Sequence, residues 1–208
     1  MAELSSFWDR LADRYAAQPV ADEAAYRTKL AVTRRYLRPD SEVLEFGCGT
    51  GSTAIAHAPL IRRLTAIDFS ARMLAIARAK AEAASIGNVT FERADITGFP
   101  APDAAYDVVM GHSILHLLKD PRDAMARVFR MLKPGGVFVS STTCLGDTMA
   151  MIKFLAPLGK ALGLLPQLSV MTTADLVADL VAAGFAIEHQ WSPGRGKAVF
   201  IVARKPAA

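Results

Sequence analysis

The chain has 208 residues, 52% hydrophobic and 21% charged, which is enough for one continuous core and small for two. Its formal charge of +4 comes from 24 basic and 20 acidic residues that are interspersed along the chain, and without a concentrated basic stripe no nucleic-acid partner is expected. No apolar run reaches the roughly 18 residues that cross a bilayer, and the amphipathic, charged start MAELSSFWDRLADRYAA is not built like a signal peptide, so a cytoplasmic protein is expected.

Phe7, Trp8, Tyr15 and Tyr26 recur at roughly helical spacing through the first forty residues, which suits a helical cap over 1–40 better than a strand of a sheet. Apolar runs rich in β-branched residues then alternate with helical stretches, the pattern of βαβ units and a parallel sheet. Strands are expected at 42–46, 64–68, 89–94, 106–111 and 137–142. The clearest helix follows Ser70 as N-cap, with Met73, Leu74, Ala77 and Ala81 on one face and Gly87 as its stop. Another starts at Pro121 with Asp120 as cap and leaves through LKPGG. Thr172 or Thr173 caps a last helix, after which AIEHQWS and KAVFIVARK, joined by PGRG, read as an antiparallel strand pair. Two cysteines, Cys48 and Cys144, form no CxxC and are expected as reduced thiols.

Between the first strand and its helix lies VLEFGCGTG, with Gly47, Gly49 and Gly51 at alternate positions. Glycine tolerates positive φ and has no Cβ, so such a run brings bare backbone up to a ligand. The dinucleotide fingerprint GxGxxG would need a third glycine where Ser52 stands, which weakens a nicotinamide-type reading without removing it. Instead an acid, Glu45, precedes the first glycine by two residues, and Asp68 ends the second strand 21 residues after Gly47.

This arrangement resembles motif I of the class I S-adenosylmethionine (SAM) dependent methyltransferases, of the quinone and phospholipid methyltransferase group. The resemblance continues in Asp68, Phe69, Ser70 and Met73, in ERADI (92–96), in YDVVMGHSILHLLKD (106–120) and in LKPGGVFVSS, and covers roughly residues 7 to 205. It implies a single methyltransferase domain over 1–208, an α/β fold of the Rossmann-like, doubly wound kind. The expected sheet has seven mostly parallel strands, an antiparallel C-terminal pair and helices on both faces. SAM is the implied cofactor, with S-adenosylhomocysteine as product. Glu45 is expected to reach the methionine ammonium, Asp68 both ribose hydroxyls, and the Asp95 side chain with the Ile96 backbone the adenine edge. Phe69 and Met73 would flank the adenine, while Gly47, Cys48 and Gly49 form the loop beneath. Tyr15 would fold over the methionine end and His112 would line the pocket. Carboxylates suit a cationic sulfonium and ammonium better than they suit a pyrophosphate.

Methyl transfer from a sulfonium depends chiefly on positioning, and a base is needed only where the acceptor arrives protonated. His116 is the candidate base, and its i, i+4 spacing from His112 places both on one helical face. The residues between them do not make HExxH, so no metal is expected. The loop reads GHSI and lacks the [DN]PP[FY] of nucleobase amino methylation. Residues 144–173 read as a substrate lid with charge only at Asp147, Lys153 and Lys160, and with Met149, Ile152, Leu155 and Ala156 in one stripe. That composition points to a small lipophilic acceptor, a quinone precursor methylated at carbon or a phospholipid or amine methylated at nitrogen, and is compatible with peripheral membrane contact through the two lysines. A SAM-binding regulatory or scaffold protein and an NAD(P)-dependent oxidoreductase are the alternatives, and both monomer and homodimer are open.

Overall fold

The three apolar residues of VLEF lie in β1 (Glu42–Phe46), whose Val43, Leu44 and Phe46 are all buried, as a strand covered on both faces requires. It belongs to a computed structural model that describes residues 2–149 and 168–207. Seven strands make one mixed sheet in the order β3-β2-β1-β4-β5-β7-β6. The chain divides into two compact units, residues 1–100 with 106–110 and residues 101–105 with 111–208.

In the first unit, helices α1 (Ala2–Ala17) and α2 (Glu23–Arg34) precede β1, confirming a helical N-terminus. After β1 come α3 (Ser52–His57), β2 (Arg63–Asp68), α4 (Ala71–Ala83) and β3 (Val89–Arg93). β1 pairs in parallel with β2 on one side and with β4 (Tyr106–His112) on the other, and β2 pairs in parallel with β3. The strand order therefore reverses at β1, between β2 and β4. Open α/β sheets bind ligands at the carboxyl ends of the strands at such a switch point.

α4 has Ser70 as N-cap, its hydroxyl accepting from the Met73 N–H, and buries Met73, Leu74, Ala77 and Ala81 as expected. Its end is not at Gly87. Ser85 takes the left-handed conformation (φ 56°), with Ser85 N–H donating to the Glu82 carbonyl and Ile86 N–H to that of Ala81. This is a Schellman closure with serine in the position that glycine usually fills.

The second unit holds α5 (Pro121–Met131), β5 (Leu132–Thr142), α6 (Thr173–Ala182), β6 (Ala186–Trp191) and β7 (Val199–Arg204). Asp120 caps α5, and Thr172 caps α6 in a reciprocal box with Asp175. β7 runs antiparallel to both β5 and β6, with Phe138, Val139, Phe200, Ile201 and Val202 in the core. LKPGG is not a loose exit from α5. Gly135 N–H donates to the Lys205 carbonyl and Lys205 N–H to that of Gly136, so the strand begins at Leu132. Of the 144–173 segment, Met149 is exposed and Asp147 receives the Thr173 N–H and hydroxyl, whereas 150–167, with Ile152, Lys153, Leu155, Ala156 and Lys160, lie outside the described residues.

His57 ends α3 with its ring fully buried and neither nitrogen partnered. Burial, helped by the Arg34 charge, pushes its pKa down to about 4 from the ordinary 6.5. The unfolded chain therefore takes up this proton before the folded one, so the contribution of a neutral His57 is intact above pH 6.5 and is lost as the pH falls towards 4. Melting temperatures measured from pH 7 to 4 should drop across that window, and His57→Leu should flatten the drop; an equal drop in the variant contradicts this assignment.

Candidate cofactor site

Gly47, Gly49 and Gly51 have φ of 65°, 54° and 74°, all left-handed, which is why the loop needs glycine at each. Gly51 also carries the packing: a Cβ there would lie 2.8 Å from the Ala77 Cβ on α4 and 3.0 Å from the Phe91 ring on β3. The close helix approach that GxGxxG assigns to its third glycine is thus made one residue earlier. A Cβ at Gly49 would meet nothing within 4 Å. The loop is pinned by Cys48 N–H to the Ile67 carbonyl at 3.1 Å and Gly51 N–H to that of Cys48 at 3.0 Å. Lys80 Nζ adds bonds to Thr50 Oγ1 (3.1 Å) and Ser52 Oγ (3.4 Å).

Two carboxylates sit under this loop. Asp68 accepts the Gly49 N–H on Oδ2 at 2.9 Å and the Ser70 N–H on Oδ1 at 2.8 Å, so it organises both the glycine loop and the turn into α4. Each oxygen keeps acceptor capacity for a further donor. Burial raises the Asp68 pKa, and these N–H groups oppose that rise. Glu45 is only 2% exposed; the Ala54 N–H reaches its carboxylate, while Oε2 is buried without a partner. Burial first, and then the Asp68 charge, push its pKa up to about 8. The Cys48 thiol, buried beside both acids, is raised well above its ordinary value and stays protonated, an unreactive thiol.

The other expected site residues fall as follows. Phe69 is half-buried and its carbonyl accepts from Arg93 Nε at 3.0 Å. Met73 is packed in the core at 3% exposure. Asp95 forms a turn, Oδ1 accepting both the N–H and the hydroxyl of Thr97 at 2.8 Å, and Ile96 is buried. Tyr15, in the last turn of α1, is 52% exposed. Tyr26 on α2, in sequence one of four aromatics at helical spacing, bonds Thr53 through its hydroxyl, and Glu45 and Tyr15 are both close enough to raise its pKa, though burial does most of this. No local pattern near Tyr26 announces that placement.

His112 and His116 belong to the second unit, and no helix carries both. His112 ends β4, its ring parallel to that of Phe200 at 6.4 Å. Ser113 follows at φ 54°, and His116 lies in a single 3₁₀ turn, Leu115–Leu117. The expected common helical face is thereby corrected: the strand continues through His112, and the left-handed Ser113 breaks any α-helical path. His116 Nδ1 is buried without a partner, and burial lowers its pKa.

Residues 43–136 match the family described as "Methyltransferase domain". The chain is 30% identical over 102 residues to the methyltransferase YcgJ of Bacillus subtilis (strain 168), covering 49% of this chain and 40% of that protein. Over that part of its length the chain is similar to methyltransferases. A malonyl-[acyl-carrier protein] O-methyltransferase of Paenibacillus sp. (strain JDR-2) is 27% identical over 155 residues, 71% of this chain and 56% of that one. The chain thus spans about half the length of these curated relatives. A SAM-dependent methyltransferase from Mesorhizobium loti has the same fold, with TM-score 0.73 at 24% identity over 88% of this chain and 99% of that one. SAM is the cofactor of such methyltransferases, and the residues fit it: an unpaired buried carboxylate oxygen beside a second acid suits a cation, and bare left-handed backbone suits close approach.

Because Glu45 is raised from 4.5 to about 8 in the folded chain, its contribution to stability is complete below pH 4.5 and is lost as the pH climbs towards 8. The melting temperature of the ligand-free protein should fall between pH 5 and 9, and Glu45→Gln should lessen that fall. A variant with the full wild-type slope shows that Glu45 is not the group responsible.

Proposed function

We propose that the chain transfers a methyl group from SAM to a small, lipophilic acceptor. The observation that carries this reading is the unpaired, buried Glu45 Oε2 next to Asp68 beneath three left-handed glycines. In the proposed mode of binding, Glu45 receives the ammonium of the methionine moiety, and Asp68 receives the ribose hydroxyls on the lone pairs not used by Gly49 and Ser70. Asp95 Oδ2 takes the adenine amino group while Oδ1 holds Thr97, and the Ile96 backbone meets the ring. Half-buried Phe69 lies against the adenine with Met73 behind it, and Gly47, Cys48 and Gly49 line the floor. Tyr15 covers the methionine end, its exposed ring excluding water, as part of a cap formed by residues 1–40.

SAM supplies a methyl on a sulfonium, whose departure as a neutral thioether removes the need for an acid at the leaving group. The chain's own task is to hold acceptor and cofactor in line and keep water out. His116 is the proposed base: neutral at pH 7, with Nδ1 unengaged, it accepts the proton of a phenol or other protonated acceptor. A lipophilic acceptor is supported by the sequence of 144–173, which carries charge only at Asp147, Lys153 and Lys160 and which we assign as the acceptor lid.

Labelled-methyl SAM incubated with the protein and cell extract should place label in the lipid-soluble fraction. Label confined to the aqueous fraction contradicts the acceptor class, and no transfer at all contradicts the reaction. With an accepted substrate, kcat should have an acid limb below pH 6.5, because burial holds His116 below its ordinary pKa, and His116→Ala should lower kcat by roughly 10²-fold without weakening SAM. A variant with wild-type kcat removes His116 from the chemistry.

A further inference from the structure

Asp9 is the third residue of the Phe7-Trp8-Asp9 start, and its carboxylate crosses to α4. Its Oδ1 accepts the Ser70 hydroxyl at 2.6 Å and the Arg72 N–H at 3.1 Å. The first N–H groups of a helix have no partner within it, and α4 resolves two of them differently. Ser70 Oγ takes the Met73 N–H at 3.1 Å, and Asp9, from another helix and 63 residues before Arg72, takes that of Arg72. Because Ser70 Oγ already accepts from Met73, its one proton is directed to Asp9. One turn further along α1, Asp13 pairs with the Arg72 guanidinium at 2.6 Å. Asp9 and Asp13, four residues apart, thus share a face of α1 and hold one residue of α4 by backbone and side chain.

The segment so held carries the proposed cofactor contacts. Ser70 N–H donates to Asp68 Oδ1, and Asp68 Oδ2 receives the Gly49 N–H of the glycine loop. Phe69 and Met73 lie on either side of Ser70 in the chain. A continuous set of hydrogen bonds therefore runs from Asp9 through Ser70 and Asp68 to Gly49, joining the N-terminal helix to the loop.

We infer that Asp9 is a positioning residue for the cofactor: by fixing Ser70 and Arg72 it sets the orientation of Asp68 and couples docking of α1 to binding of the adenosine moiety. This rests on the SAM site proposed above. Asp9 touches no cofactor atom in this scheme; it acts through Ser70 and Asp68. Its carboxyl is held below the ordinary carboxylate range chiefly by the Ser70 hydrogen bond, so it is ionised at neutral pH and both its bonds are charge-assisted. Coupling of this kind is reciprocal: if docked α1 strengthens cofactor binding, bound cofactor strengthens docking of α1.

The test measures S-adenosylhomocysteine affinity by calorimetry, and amide exchange of residues 2–17 with and without that ligand, in wild type, Asp9→Ala, Asp9→Asn and Asp13→Ala. Circular dichroism and protection of the β1 amides verify that each variant is folded. In the wild type, ligand should slow exchange in α1. Asp9→Ala should weaken binding by roughly tenfold and speed exchange in α1. Asp9→Asn keeps one oxygen able to accept from both Ser70 and Arg72, and should recover most of the affinity. Asp13→Ala removes only an exposed ion pair and should change affinity by less than about threefold. A folded Asp9→Ala that binds within twofold of wild type overturns the inference, whether or not its α1 exchanges faster. A wild-type protein that binds no S-adenosylhomocysteine overturns the SAM site itself, and this inference with it.

Discussion

Two carboxylates at the ends of adjacent parallel strands, pressed together under a loop that only glycine can form, set the terms for the rest of the first unit. Glu45 pairs in register with Ala66 on β2, and Asp68 ends that strand two residues later. Burying like charges side by side is unfavourable unless N–H donors or a cation offset it. Asp68 is offset from within the chain, by Gly49 and Ser70. Glu45 is offset only on the side of Ala54, and its pKa of about 8 records the remainder. Perturbed acids of this kind gather at functional sites because they hold free energy that a ligand of the right charge releases.

The surrounding structure follows from holding that pair in place. Cys48 bonds across to Ile67 so that the loop lies over the end of β2. Gly51 lets α4 and β3 approach to a distance that no Cβ would permit. Lys80 reaches back from α4 to the hydroxyls of Thr50 and Ser52, and α1 reaches in from the N-terminus through Asp9. α1 is therefore more than a cover, since it ends in the same hydrogen-bond network as the glycines.

Much of this was legible in the sequence because the signals were local. The β-branched runs located the first five strands within a few residues, and Ser70, Asp120 and Thr172 capped the helices assigned to them. The failures have a common cause in distant partners. Ser85 outranks Gly87 as a helix stop because its left-handed turn completes bonds to Ala81 and Glu82, which composition does not reveal. LKPGG looks like a turn until Lys205, some seventy residues later, pairs with it. The His112–His116 spacing suggested a helix, but β4 claims the first histidine and Ser113 turns the backbone left-handed before the second. Nothing local marks the task of Asp9, since its partners lie 61 and 63 residues away. The proposal of an acceptor lid over 144–173 rests on composition, and the central residues 150–167 lie outside the described residues.

Proton counting most directly tests the proposed neutralisation of this buried acid pair by the cation of the cofactor. A cation placed at Glu45 favours the carboxylate, so binding at pH 7 must expel the proton that Glu45 holds with a pKa of about 8. Calorimetric titration of SAM in buffers of different ionisation enthalpy should therefore show close to one proton released per SAM bound, and Glu45→Gln should abolish the release. Binding of SAM without proton release by the wild-type protein would contradict the account.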